Sequence, residues 1–271
     1  MNEWKGSGEG RFFAVVMWLV PIGAVALGMR HWLPSMVSEH GAGVDRMLHY
    51  LLVATGGLLV ISHLVFGYFL WRFSASPKPT FRLPSKSSER KWSLMPIIAM
   101  LFIAEGGVLV LGLPVWAKLY GAPPPDTAVI EVTAEQFAWN VRYPGADGKF
   151  GRTSSQLITL SNPLGMDRDD SIARDDIVLT NEIIVPVNKA VQIRLRGKDV
   201  LHSFFLPHHR IKQDVVPGMT IDTWFVPTET GIFELACAEL CGLGHYQMRG
   251  IVRVVSEDEY RQFFSEQPPF L

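Results

Sequence analysis

Cys237-Ala-Glu239-Leu-Cys241-Gly-Leu-Gly-His245-Tyr-Gln-Met248 is the stretch on which the reading of this chain turns. Two thiols lie four residues apart with Glu239 between them, a histidine follows four after Cys241, and a methionine three after that. Gly242 and Gly244 give the backbone freedom to fold back, so several side chains can converge on one point. Soft thiolate and thioether donors combined with imidazole favour copper among the available metals. Cys237 and Cys241 are the only cysteines. Taken singly, the pair could equally be a disulfide or buried thiols, Met248 core filler and His245 a surface histidine. Zinc competes for two Cys and two His, but gives no reason for a methionine closing the loop.

Outward from the loop, a second histidine stands in Asp199-Val-Leu-His202-Ser-Phe-Phe-Leu-Pro207, after one strand-like run and before another. From residue 128 onward, short runs rich in Val, Ile, Thr and Phe alternate with turn residues: 129–132, 137–143, 177–185, 190–195, 220–225, 231–236 and 250–255. Strands at this density imply an all-β sandwich or barrel. One distant histidine plus a compact C-terminal ligand loop resembles the copper-binding β-sandwiches, the cupredoxins. The polar segment 145–176 reads as a long surface excursion, and 257–264 as a short C-terminal helix with a tail to 271.

The first 120 residues have a different texture. Apolar runs cover 12–29, 47–73 and 94–117. A membrane-spanning helix needs about 20 mostly apolar residues, which the second and third runs meet. The first is marginal, contains Pro21, and has a cleaved signal peptide as its alternative; no convincing small-x-small site precedes the polar loop, so we read it as a retained helix. Arg72, Lys78, Arg82, Lys86, Arg90 and Lys91 surround a single acid, Glu89, between the second and third runs. Such a basic loop belongs on the cytoplasmic side, which puts the C-terminal half outside and the N-terminus, with Lys5 and Arg11, inside. The expected fold is thus N-terminal transmembrane α-helices over residues 1–120, a Pro-rich linker at 121–127, and an extracytoplasmic all-β cupredoxin-like sandwich at 128–256. A formal net charge of −1 argues against a nucleic-acid binder, and neither a phosphate-binding Gly-rich loop nor a CxxCH haem motif is present.

The sequence resembles subunit II of the haem-copper terminal oxidases, the cytochrome c oxidase type. The loop matches that family's Cys-x-Glu-x-Cys-x3-His-x2-Met throughout. His202-Ser-Phe-Phe-Leu-Pro207 with Lys212, Asp214 and Pro217-Gly218 also matches, and Glu89-x2-Trp92-x3-Pro96 resembles the start of the family's last membrane helix. The resemblance implies two copper ions, the CuA centre, held by His202, Cys237, Cys241, His245, Met248 and the carbonyl of Glu239. It implies a magnesium site shared with subunit I near the Glu239 side chain, and a proton-channel entrance near Glu89. It also implies oxidase subunits I and III, the lipid bilayer and a cytochrome c as partners, in a bacterial cytoplasmic (inner) membrane. Electrons would pass from the donor through the copper pair to haem in subunit I.

The chain departs from the family's pattern in having three apolar runs where many members have two membrane helices, and at one aromatic position. Where the family has Gln-Trp-x-Trp, proposed to accept the electron, this chain has Gln136-Phe137-Ala138-Trp139. Either Trp139 substitutes for Phe137, or a donor such as a membrane-bound cytochrome docks elsewhere; both aromatics also suit a strand that packs on the sandwich. Glu105, inside the third run, is read as facing a helix partner, protonated or hydrogen-bonded. His208 and His209 are read as solvent-exposed or interface residues, and Asp199 and Asp214 as candidates for an acidic docking face. The competing functions are a membrane-tethered copper carrier and the copper domain of another reductase, such as one acting on nitrous oxide. The latter would need a second, His-rich domain, for which eight histidines leave no supply.

Overall fold

The computed structural model describes residues 6–28, 33–74, 83–125 and 127–271. Lys5, Met29, Lys78 and Arg82, used above, lie outside the described residues. The chain forms two compact units: residues 1–33 with 45–114, and residues 34–44 with 115–271.

The first unit is helical. α1 (Gly6–Gly28), α2 (Gly41–Phe73) and α3 (Lys86–Tyr120) are each long and apolar enough to cross a membrane. α2 and α3 begin several residues before their apolar runs, because apolarity marks the lipid-facing length while a helix continues into the polar flanks. Ser85 caps α3, its side chain accepting from the Ser88 N–H. Trp18 packs where Gly67 leaves room, and its indole N–H donates to the Leu64 carbonyl at 3.2 Å. α3 widens into π-helix at Met100–Glu105 and Val108–Gly112. There the Tyr50 hydroxyl donates to the Ile103 carbonyl and fills the space over Gly107. Glu105 ends the first π-helical stretch and is exposed, with no described helix of this chain covering it.

The second unit is a sandwich of two five-stranded sheets. One has the order β3-β2-β1-β5-β8, from Ile177–Thr180, Ala138–Tyr143, Ala128–Glu135, Val191–Gly197 and Thr220–Phe225. The other has the order β4-β10-β9-β6-β7, from Glu182–Pro186, Arg249–Val255, Gly231–Cys237, His202–Leu206 and Ile211–Val215. The run read as one strand at 177–185 is two strands in opposite sheets. Asn181, at φ 60°, turns the chain between them, with its side-chain oxygen accepting from the Trp139 N–H at 2.8 Å. Val132, Ile193, Leu195, Phe204, Leu206, Phe225 and Leu235 are fully buried between the sheets.

Segment 145–176 is not wholly superficial. Met166, Ala173 and Asp176 are buried, and Asp176 pairs with buried Arg142 of β2, which also reaches Glu131 at 3.3 Å and the Gly151 carbonyl at 2.6 Å. The C-terminal helix α4 (Glu257–Glu266) starts in a capping box between Ser256 and Glu259 and sets Phe264 against Tyr143, ring centroids 4.6 Å apart.

Residues 34–44, from the α1–α2 loop into the first turn of α2, belong to the sandwich unit and form a strap on it that the sequence did not signal. The Val37 N–H donates to the His208 carbonyl and the Thr228 N–H to the Val37 carbonyl, both at 2.9 Å, and the Glu39 N–H to the Val226 carbonyl at 3.0 Å. Under the strap, His209 is fully buried between Phe225 and Phe233, which corrects its reading as a solvent-exposed or interface residue. His208 is half-buried, hydrogen-bonded to Ser35.

Candidate metal centre

Register builds the site. Phe204 of β6 faces Cys237 of β9, so His202, two residues earlier on β6, emerges at the same end of the sheet. The Ala238 N–H donates to the Ser203 carbonyl at 2.9 Å and the Cys237 N–H to the Met248 carbonyl at 3.2 Å, which ties the loop's first and last ligand positions to the sheet. Between them a 3₁₀ turn at His245–Gln247 brings His245 back toward Cys241.

The six expected donors converge. Cys237 Sγ lies 4.0 Å from Cys241 Sγ, 3.9 Å from His202 Nδ1 and 3.1 Å from the Glu239 carbonyl oxygen. Cys241 Sγ lies 3.6 Å from His245 Nδ1 and 3.7 Å from Met248 Sδ. The sulfurs are too far apart for a disulfide, whose S–S length is about 2 Å, and both cysteines are free thiols. The separations suit shared metal instead. With bonds of about 2.3 Å to sulfur and 2.0 Å to nitrogen at tetrahedral angles, two sulfurs fall roughly 3.8 Å apart and sulfur and nitrogen roughly 3.5 Å. Burial pushes the Cys241 thiol up to about 11, and the adjacent Cys237 pushes the same way. A cation among these donors would take the place of the thiol protons and offset the burial, so the donor set fits a metal.

The surroundings fix which atoms are free. His202 Nε2 bonds Asp199 Oδ1 at 2.9 Å, leaving Nδ1 facing Cys237. Burial works to raise the Asp199 carboxyl, but hydrogen bonds from His202 and from the Gln136 and Val200 N–H groups hold it below the usual range. Asp199, read only as a docking-face candidate, is therefore engaged with a site histidine; the signal available was its place three residues before His202. Asp214 is held by Ser203 and Lys212. Trp139 is fully buried, its ring centroid 6.3 Å from that of His202. Phe137 is 36% exposed and rests on the loop, since a Cβ at Gly244 would come within 2.4 Å of its ring. The Glu239 side chain is exposed beside the cluster, while Glu89 lies in the other unit, exposed in the first turn of α3.

The sequence profile described as "Cytochrome C oxidase subunit II, periplasmic domain" matches residues 129–255. The alternative cytochrome c oxidase subunit 2 of Bradyrhizobium diazoefficiens is 32% identical over 95% of this chain and 92% of that protein. The chain belongs to the cytochrome c oxidase subunit II family. Another member, cytochrome c oxidase subunit 2 of Cereibacter sphaeroides, is 30% identical over 80% of this chain and 73% of that protein. Among solved structures, the periplasmic domain of subunit II of cytochrome oxidase (CoxB) of Bradyrhizobium japonicum is 34% identical, covering 53% of this chain and 94% of that one with a TM-score of 0.39. Members of the subunit II family are parts of a haem-copper oxidase, and the three apolar helices make this one a membrane protein. His202, Cys237 and Cys241 form a group able to hold a metal ion.

Proposed function

We propose that the chain is the electron-accepting subunit of a respiratory haem-copper oxidase. It takes single electrons from a cytochrome c-type donor and delivers them to haem in subunit I, where oxygen is reduced. The observation that carries this reading is the convergence of two thiols, two imidazole Nδ1 atoms, a thioether and a carbonyl oxygen at one end of the sandwich. Bound by His202, Cys237, Glu239, Cys241, His245 and Met248, a copper pair supplies a one-electron relay that shares its charge over two ions. The protein's part is to hold these donors still. Strands β6, β9 and β10 fix both ends of the loop, Asp199 keeps one imidazole in a single tautomer, and the burial of His202, Cys241 and Met248 limits access of water.

The exposed carboxylate of Glu239 is available for a magnesium ion shared with subunit I, and Glu89 for proton uptake by that subunit. Phe137 at the rim and Trp139 behind His202 are the two candidates for accepting the electron. The basic residues Arg72, Lys86, Arg90 and Lys91 favour a cytoplasmic side for the α2–α3 loop in a bacterial inner membrane. A strap from the α1–α2 loop bonded to the sandwich fits three crossings, with both on the outer side. Subunit III and either a soluble or a membrane-bound cytochrome complete the expected partners.

Electron paramagnetic resonance of the full chain, loaded with copper in detergent, tests this. One electron shared between two copper nuclei is expected to give the more finely split signal. A mononuclear pattern, or no copper uptake, would sink the reading. Transfer from candidate cytochromes to Trp139→Phe and Phe137→Leu proteins then separates the two acceptors: an unchanged rate excludes the residue altered.

A further inference from the structure

Gln136 joins the two segments that carry the metal donors. It sits in the turn between β1 and β2, which supplies no ligand. Its side-chain amide donates to the Cys241 carbonyl at 2.5 Å, and its main-chain N–H donates to Asp199 Oδ2 at 2.7 Å. The other oxygen of Asp199 holds His202. One residue therefore spans from the His202 segment to the middle of the Cys237–Met248 loop.

The turn is itself anchored. Glu135 pairs with Lys198 and accepts from Asn140 Nδ2 at 2.9 Å, and the Lys198 N–H donates to the Ala134 carbonyl at 2.9 Å. Gly242, at φ 137°, leaves the approach open, since a Cβ there would stand 2.8 Å from Gln136 Nε2. Cys241 has His245 and Met248 against its sulfur. Restraining its carbonyl restrains the middle of the loop, between the two ends that the sheet holds.

We propose that Gln136 is a positioning residue for the metal centre, setting the distance between the His202 side and the Cys241 side of the donor set through its paired hydrogen bonds to Asp199 and Cys241. This rests on the copper reading above. Hydrogen-bond partners one shell outside a metal commonly change its affinity about 10- to 100-fold when removed.

The test uses the full chain in detergent titrated with equal amounts of copper(I) and copper(II). The parent must first show the shared-electron signal; if it does not, the reading of the site fails, whatever Gln136 does. Gln136→Met keeps the side-chain length and removes the donor. It is expected to shift the hyperfine splitting and the thiolate-to-copper absorption bands and to weaken copper binding about 10-fold, with the unfolding transition of the metal-free protein unchanged. A parental spectrum and affinity overturn the proposal. So does a variant that loses stability without any spectral change, the mark of a merely structural contact. A second measurement needs no variant: in the metal-free parent labelled with ¹⁵N-glutamine, the Gln136 side-chain amide protons are expected to exchange slowly, and free exchange overturns the assignment.

Discussion

Gly244 and Phe137 share a space that admits only one of two side chains. A methyl at Gly244 meets the Phe137 ring at 2.4 Å, so Gly244→Ala is expected to destabilise the protein by roughly 1–3 kcal/mol through overpacking. Adding Phe137→Ala should recover most of that loss, and thermal unfolding of the four proteins in the cycle checks it; strictly additive effects would refute the contact. His209 predicts a pH effect. Burial between Phe225 and Phe233, with His208 nearby, holds its pKa down to about 4. Free histidine titrates near 6.5, so below that pH the unfolded chain binds a proton that the folded chain refuses. Its contribution is complete above about pH 6.5 and is lost as the pH falls toward 4. Stability measured from pH 7 to 5 should fall less steeply in His209→Leu than in the parent. His40, also held low by burial first and by Lys118 next, retains a share of the slope. The metal donors were legible in the sequence because they form a compact chemical pattern, whereas Asp199 and Gln136 were not. A carboxylate and an amide acquire their meaning from where two turns bring them, and His209 looked polar because its aromatic neighbours come from distant strands.

Asn181 separates two strands that continuous β propensity had merged. At φ 60° it occupies the left-handed region, where a β-branched residue is strained. Asn181→Val is expected to cost more than Asn181→Gly, and urea denaturation of both variants measures the difference; equal midpoints would deny the conformational cause. Ser256→Ala removes half of the capping box of α4 and should cost about 1 kcal/mol. Because Phe264 of that helix packs on Tyr143, the loss should appear in global unfolding as well as in helix fraying. Most strands could be read from alternation and turn residues, as could the three membrane helices from their apolar length. What could not be read was which sheet each strand joins. β6 and β7 pair through Phe204 and Gln213, yet neither was among the strand-like runs, because Pro207, His208 and His209 interrupt their sequence.

The sandwich is discontinuous in sequence, since its unit includes residues 34–44 as well as 115–271. A chain beginning at residue 128 loses the strap's bonds to His208, His209, Val226 and Thr228, and the Gly121 carbonyl that accepts from the Trp224 indole at 2.9 Å. At about 1 kcal/mol per hydrogen bond, the shortened domain should be roughly 3–5 kcal/mol less stable than one in which residues 34–44 are joined by a flexible linker to a chain starting at 115. Calorimetry of the two proteins checks this, and equal melting temperatures would show that the strap is ornamental to stability. The strap also imposes an order of events during synthesis. Val37 emerges about 190 residues before Thr228, its partner on the sandwich. At ribosomal rates of about 5–20 residues per second, it waits roughly 10–40 s with nothing to bind. Its partners arrive only after two further membrane helices have been made, so the domain closes on a segment delivered long before, and Cys237 and Cys241, later still, are among the last parts of the structure to find their places.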